Sequence, residues 1–135
     1  MWGLNMSTGE WIIFMNAGDI FYDDKVISIA FENVVNKDNN IKLVFGKTQN
    51  VYSNGMKAFK NYSSSNKYDL PFCICHQSAF FESTFIKANH YDLSYKVCAD
   101  ANLLNEIFYK DTILDMCHIQ FLFMKHRKEC LVGIY

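Results

Sequence analysis

The chain has 135 residues, 50% of them hydrophobic and 16% aromatic, with 20% charged and a formal net charge of −1. That length holds one domain and not two, and the apolar content is enough for a core. The near-neutral balance gives no electrostatic reason to grip a polyanion, so nucleic acid is not expected as a partner.

At the amino terminus no basic segment precedes an apolar run, so a secretory leader is not expected. Nowhere does an apolar stretch approach the roughly 20 residues that cross a bilayer. A cytoplasmic protein is the expectation. The first strong element is Gly9 to Asp24, GEWIIFMNAGDIFYDD. Trp11 to Met15 reads as a buried strand that stops at Asn16-Ala17-Gly18-Asp19. In an α/β sheet this order delivers a small polar segment to the crevice at a strand's carboxyl end, where ligands bind. Gly18 allows the turn without a Cβ clash, and Asp19 sets a carboxylate at the strand tip, suited to a hard divalent cation. The same four residues serve equally well as a plain strand-to-helix turn. Asp23 or Asp24 caps the next helix, on which Ile27, Ala30, Phe31 and Val34 form one apolar stripe. Asn36 to Asn40 is a polar loop, and Ile41 to Phe45 is a strand closed by Gly46. Val51 to Phe59 is a hairpin around Asn54-Gly55, a dipeptide suited to a type I′ turn.

Asn61 to Leu70 is polar and ends at the single proline, Pro71. It reads as plain surface or as a loop over a binding site. The five cysteines, Cys73, Cys75, Cys98, Cys117 and Cys130, are an odd set and read as reduced thiols. Cys73 and Cys75 lack the spacing of a zinc or redox pair. Phe72 to Phe81 is apolar on both sides of His76-Gln77. Burying two such side chains unpaired costs about 1–3 kcal/mol each, so they find partners or face a cavity. His76 is then a satisfied core residue or a hydrogen-bonding group for a hydroxyl or phosphate oxygen, and Gln77 offers the donor and acceptor a sugar needs. Ser83 caps a short helix through Ala88, with Phe85 and Ile86 inward and Asn89 near its end. Tyr91 to Tyr95 crosses as a loop whose aromatics either stack on a ligand or plug the core. Cys98-Ala99-Asp100 opens a helix with Leu103, Leu104, Ile107 and Phe108 as its buried stripe. Asp100, on the same face, is an N-terminal cap or a carboxylate aimed into a pocket. Thr112 to Met116 reads as a closing strand. His118 to Met124 is mostly apolar and runs into Lys125-His126-Arg127-Lys128, either a solvated helix end or a contact for an anionic membrane.

Three of these stretches, GEWIIFMNAGDIFYDD, PFCICHQSAFF (Pro71 to Phe81) and YDLSYKVCAD (Tyr91 to Asp100), resemble blocks of the inverting family 2 glycosyltransferases in order and approximate spacing. The resemblance covers roughly Gly9 to Phe108. It implies an α/β, Rossmann-like GT-A fold, with a mixed sheet flanked by helices. Residues 1–135 would form a single partial domain similar to the carboxyl-terminal part of the catalytic domain, with the first βα units missing. Leu4 to Gly9 looks like the end of the helix that leads into the central strand. The implied activity is transfer of a sugar from a nucleotide-sugar donor to a glycan or lipid-linked acceptor, with inversion, in surface polysaccharide synthesis. Asp100 matches the catalytic base, and Asp19 the ligand of a divalent cation, Mn or Mg. Asn16, Gly18, His76 and Gln77 match the substrate-binding positions. The chain differs from the family at two points: Asn16-Ala17-Gly18-Asp19 stands in place of Asp-x-Asp, and Ala101-Asn102 in place of an aromatic and a second acid.

A lipid-linked acceptor would suit a peripheral position at the inner face of the membrane. A strand that lacks its usual neighbour presents a row of open N–H and C=O groups, so self-association through that sheet edge is expected. The alternative to an enzyme is a truncated, non-catalytic remnant or interaction module without the nucleotide-binding half. A sugar-binding domain without turnover is the third reading.

Overall fold

The computed structural model describes residues 2–32, 41–60, 74–89, 91–92, 94–95, 99–109 and 115–127. The expected loops at Asn36 to Asn40 and Asn61 to Leu70, together with Val34 and Pro71 to Cys73, lie outside these residues.

A short helix, α1 (Trp2–Met6), precedes strand β1 (Trp11–Ile13), and β2 (Ile20–Phe21) leads into α2 (Val26–Ala30). The long strand β3 (Ile41–Tyr52) turns into β4 (Lys57–Lys60). A 3-10 turn at His76–Ser78 opens directly into β5 (Ala79–Glu82), then α3 (Ser83–Ala88), α4 (Ala99–Tyr109) and β6 (Asp115–Arg127). The six strands form one mixed sheet in the order β1-β5-β3-β6-β2, with β4 also on β3. Among the described residues only β3 and β6 pair in parallel; the other pairings are antiparallel. The class is therefore α/β with a mixed sheet, and no helix among the described residues is long and apolar enough to cross a membrane.

Alternation along the strands builds two cores. Phe81 stands opposite Ile12 and Leu43, while Phe80 stands opposite Ile13 and Val44. Side chains two apart share a face, so the first set faces Ile86, Leu103, Leu104 and Ile107, and the second faces Val26 and Ala30. Helices α3 and α4 thus cover one face and α2 the other. Ile41 joins the face of Val44 and not that of Leu43, because the ladder to β6 shifts register between Ile41 and Leu43. On the α2 face an edge-on aromatic row runs from Trp11 to Phe31, at 5.8 Å, and on to Phe80, at 5.7 Å.

Several local expectations change. The first strand ends at Ile13; Phe14 leaves it and tucks against Phe81 and Tyr91, with ring centroids at 6.1 and 5.6 Å. Neither Asp23 nor Asp24 is the cap of α2. Lys25 holds that position without a side-chain bond, and Asp23 Oδ1 accepts from the Lys25 N–H at 2.9 Å, closing an Asx turn just ahead of the helix. The apolar stripe is rotated: Val26 and Ala30 are buried and Ile29 and Phe31 pack beside them, but Ile27 is 49% exposed. Gly46 does not end the third strand. It sits in the interior, where the register to β6 shifts between Gly46 and Lys47, as glycine in a strand commonly does at an irregularity. The hairpin turn has three residues, Ser53-Asn54-Gly55, closed by Gly55 N–H to Tyr52 O and Tyr52 N–H to Met56 O, both 2.9 Å. Gly55 takes φ 81°, so the positive φ falls on the third loop residue and a two-residue type I′ turn is not formed. Finally, His118 to Arg127 is strand, laid parallel along β3, so Lys125 to Arg127 is not a helix end; Lys128 lies outside the described residues.

Glu82, not Ser83, caps α3. Its carboxylate accepts from the N–H groups of Thr84 and Phe85 at 3.1 and 2.8 Å and from the Thr84 hydroxyl. Burial raises its pKa, but those hydrogen bonds and Lys42 at 3.8 Å outweigh it and hold the group below its ordinary 4.5. A carboxyl depressed in the folded state stabilises above the ordinary carboxylate range and loses that contribution as pH falls through the lowered value. Glu82→Ala should cost about 1 kcal/mol in denaturant unfolding at neutral pH, and the gap to wild type should close in acid.

Candidate functional site

The site is built at the end of the sheet where β1 finishes and β5 begins. Ile13, the last residue of β1, is in register with Phe80, near the start of β5, and Ala79 with Phe45. The carboxyl end of β1 and the 3-10 turn ahead of β5 therefore leave the sheet on the same side.

That 3-10 turn is held by its own side chains. Cys75 O accepts from both the N–H and the hydroxyl of Ser78 at 2.8 Å, and the Cys75 thiol donates to Gln77 Oε1 at 2.8 Å. Gln77 and Ser78 are buried. Gln77 thus points into the protein and braces the turn. His76, between Cys75 and Gln77, is the residue whose side chain reaches across to another element: its Nδ1 lies 2.6 Å from Asp100 Oδ2. The two side chains are 23% and 38% exposed, so the pair sits at the surface with one side open to solvent.

Asp100 stands in the first turn of α4, where a negative charge suits the helix dipole, and Leu103, Leu104 and Ile107 anchor the same helix in the core. Its partner is the imidazole of another element and not, among the described residues, an N–H of its own helix. Tyr91 completes the group. Its ring packs edge-on against Phe14 at 5.6 Å, so this aromatic plugs the core, whereas Tyr95 is exposed. Burial pushes the Tyr91 phenol up to about 12, and the nearby Asp100 charge adds to the effect. With the folded value above the ordinary 10.0, the stabilisation from a neutral phenol is whole below pH 10.0 and is lost as pH rises through about 12. An alkaline absorbance titration should show one late-ionising phenol that Tyr91→Phe removes.

Asn16, Gly18 and Asp19 form a tight turn two residues beyond Phe14. Asp19 N–H donates to Asn16 O at 3.1 Å, and Gly18 has φ 90°, as the third position of a type II turn requires. Asp19 Oδ2 faces the Asn16 N–H at 3.4 Å, a long contact that leaves the carboxylate at the surface of the turn. No contact among the described residues joins Asp19 to Asp100. Asp19 leads straight into β2, which lies on the far side of β5, β3 and β6 from β1. Among the described residues no three acids, histidines or cysteines converge on a metal position. A cation at this turn would have Asp19 as its one carboxylate ligand among the described residues.

The arrangement joins His76 to Asp100, puts Tyr91 beside them, withdraws Gln77 into the turn, and keeps Asn16, Gly18 and Asp19 as a separate turn. In the sequence Tyr91 was an aromatic in a loop and the first residue of the block that ends at Asp100; its burial beside that carboxylate was not legible. No protein-family model matches the chain, and no characterised protein matches its sequence.

Proposed function

We propose that the chain is part of an inverting glycosyltransferase domain of family 2 type, with Asp100 as its catalytic base. The observation that carries this reading is the Asp100 carboxylate, held at one oxygen by His76 and open to solvent. A base needs a carboxylate within hydrogen-bond reach of the acceptor and a fixed direction. The three sequence blocks that resemble the family support the same assignment, because two of them end at His76 and Asp100 or run through them.

In the proposed reaction Asp100 Oδ1 takes the proton of an acceptor hydroxyl. The hydroxyl oxygen forms its bond to the anomeric carbon as the bond to the leaving diphosphate breaks, with inversion and no covalent sugar–protein intermediate. A divalent cation, Mn or Mg, would supply charge neutralisation at the diphosphate when bound, with Asp19 as its protein ligand. Asn16 brings its amide and Gly18 its backbone to the donor, and the acceptor is a glycan or a lipid-linked glycan. A cytoplasmic position, peripheral to the membrane if the acceptor is lipid-linked, belongs to this proposal.

The closed Asn16–Asp19 turn favours a second reading, in which the chain binds a sugar or serves as an interaction module without turnover. Melting with nucleotide sugars and Mn²⁺, alongside assays for transfer and donor hydrolysis, separates the two. A ligand that binds only the folded state raises the midpoint, by about 2.7 kcal/mol of stability at a hundredfold excess over Kd. A raised midpoint with transfer supports the enzyme, a raised midpoint without transfer supports the binding module, and no shift with any nucleotide sugar overturns the donor site.

A further inference from the structure

We infer that His76 is not a substrate ligand but the positioning residue of Asp100: its Nδ1–H holds Oδ2 and leaves Oδ1 as the oxygen that meets a hydroxyl. This rests on the reading of Asp100 as the base and assigns its partner.

Two independently anchored elements bring the pair together. The backbone of His76 is set by the turn that Cys75, Gln77 and Ser78 lock, and that turn continues without a break into Ala79, Phe80 and Phe81, all buried. Asp100 is set by a helix whose next two turns bury Leu103, Leu104 and Ile107. Each side chain therefore meets the other from a rigid base, which is what holding a reacting group to a fraction of an ångström needs. An aspartate 38% exposed with only solvent around it would sample several rotamers; at 2.6 Å from Nδ1 it has one favoured orientation. The bond also fixes the imidazole. Nδ1 facing a carboxylate must carry the proton, whichever charge the ring has, so Nδ1–H is the tautomer present. Tyr91 walls the pair on the Phe14 side and stays neutral across the physiological range, so it adds no competing charge. Of the other elements packed on the turn, β1 brings no ionisable side chain. On β3, Lys42 is paired with Glu82 and Lys47 lies beyond Gly46; β6 sets His118 in register with Phe45.

The test uses the full chain labelled with ¹⁵N-histidine, with the His76 signals assigned by their loss in His76→Asn, at a pH above the imidazole range. Wild type should show His76 protonated at Nδ1, and Asp100→Ala should return it to the Nε2–H form usual for histidine in water. An unchanged tautomer in Asp100→Ala overturns the pair. In transfer assays His76→Ala should lower kcat about 10- to 100-fold with little change in KM for donor or acceptor, as loss of an orienting partner does. His76→Asn, which returns an N–H donor at similar reach, should recover part of that loss. A rise in KM with kcat intact would instead make His76 a substrate ligand and overturn the inference. Absence of transfer in wild type alongside the Nδ1–H signal would remove the enzymatic reading and leave the pair itself established.

Discussion

Asp100→Asn should lower sugar transfer by about 10²- to 10⁴-fold, the range that a positioned general base contributes. The asparagine side chain keeps the size of the carboxylate, and its Oδ1 can still accept from His76 Nδ1–H, so the local geometry should survive. What disappears is the ability to take a proton from the acceptor hydroxyl as the new bond forms. The change should therefore fall on kcat and kcat/KM together, with donor binding, read by the melting shift, left near wild type. Stability should change little, because Asp100 is at the surface and its helix is anchored by Leu103, Leu104 and Ile107. Measured rates with a nucleotide sugar and acceptor, in parallel with unfolding midpoints, check both halves. Transfer that persists within a few-fold in Asp100→Asn would take the base assignment away.

Phe81→Ala should be the most destabilising single truncation in the sheet. The ring is fully buried, lies between Ile12 on β1 and Leu43 on β3, and meets Phe14 at 6.1 Å. Replacing a buried phenylalanine by alanine loses its transfer free energy and leaves a cavity, together about 3–5 kcal/mol. That is a large share of the roughly 5–15 kcal/mol that keeps a domain folded. At about 3–5 °C per kcal/mol for a domain of this size, the midpoint should fall by roughly 10–25 °C. Ile27→Ala is the contrast: its side chain is 49% exposed, and the change should stay within about 0.5 kcal/mol.

What the sequence made legible was composition-driven and local. Ile41 to Phe45 was legible as a strand, and the helix from Ala99 declared its stripe at Leu103, Leu104 and Ile107. Ile27 was misplaced because a five-residue helix holds too little periodicity to choose between faces shifted by one position. The apolar run His118 to Met124, with the basic residues after it, left a helix end and a membrane contact both open because it has no clear period of its own; the ladder to β3 makes it a strand. Gly46 looked like a stop for the same reason: a shift of register belongs to two strands, and only one is visible in a window. At the site, His76 and Asp100 were each readable as chemistry, but their bond was not. Twenty-four positions separate them, and the contact depends on how a 3-10 turn and a helix pack against the same end of the sheet. The withdrawal of Gln77 was equally hidden, since the thiol that claims its oxygen belongs to Cys75, whose signal was only one of spacing.

The parallel ladder between β3 and β6 carries a consequence for biogenesis. Ile41 stands in register with Asp115, so β3 is made about 70 residues before the strand that completes it. At roughly 5–20 residues per second of synthesis, that edge stays uncovered for several seconds at the least. During that interval the nascent chain offers an adhesive strand to its neighbours on the polysome, and a co-translational holdase would find its natural foothold on β3.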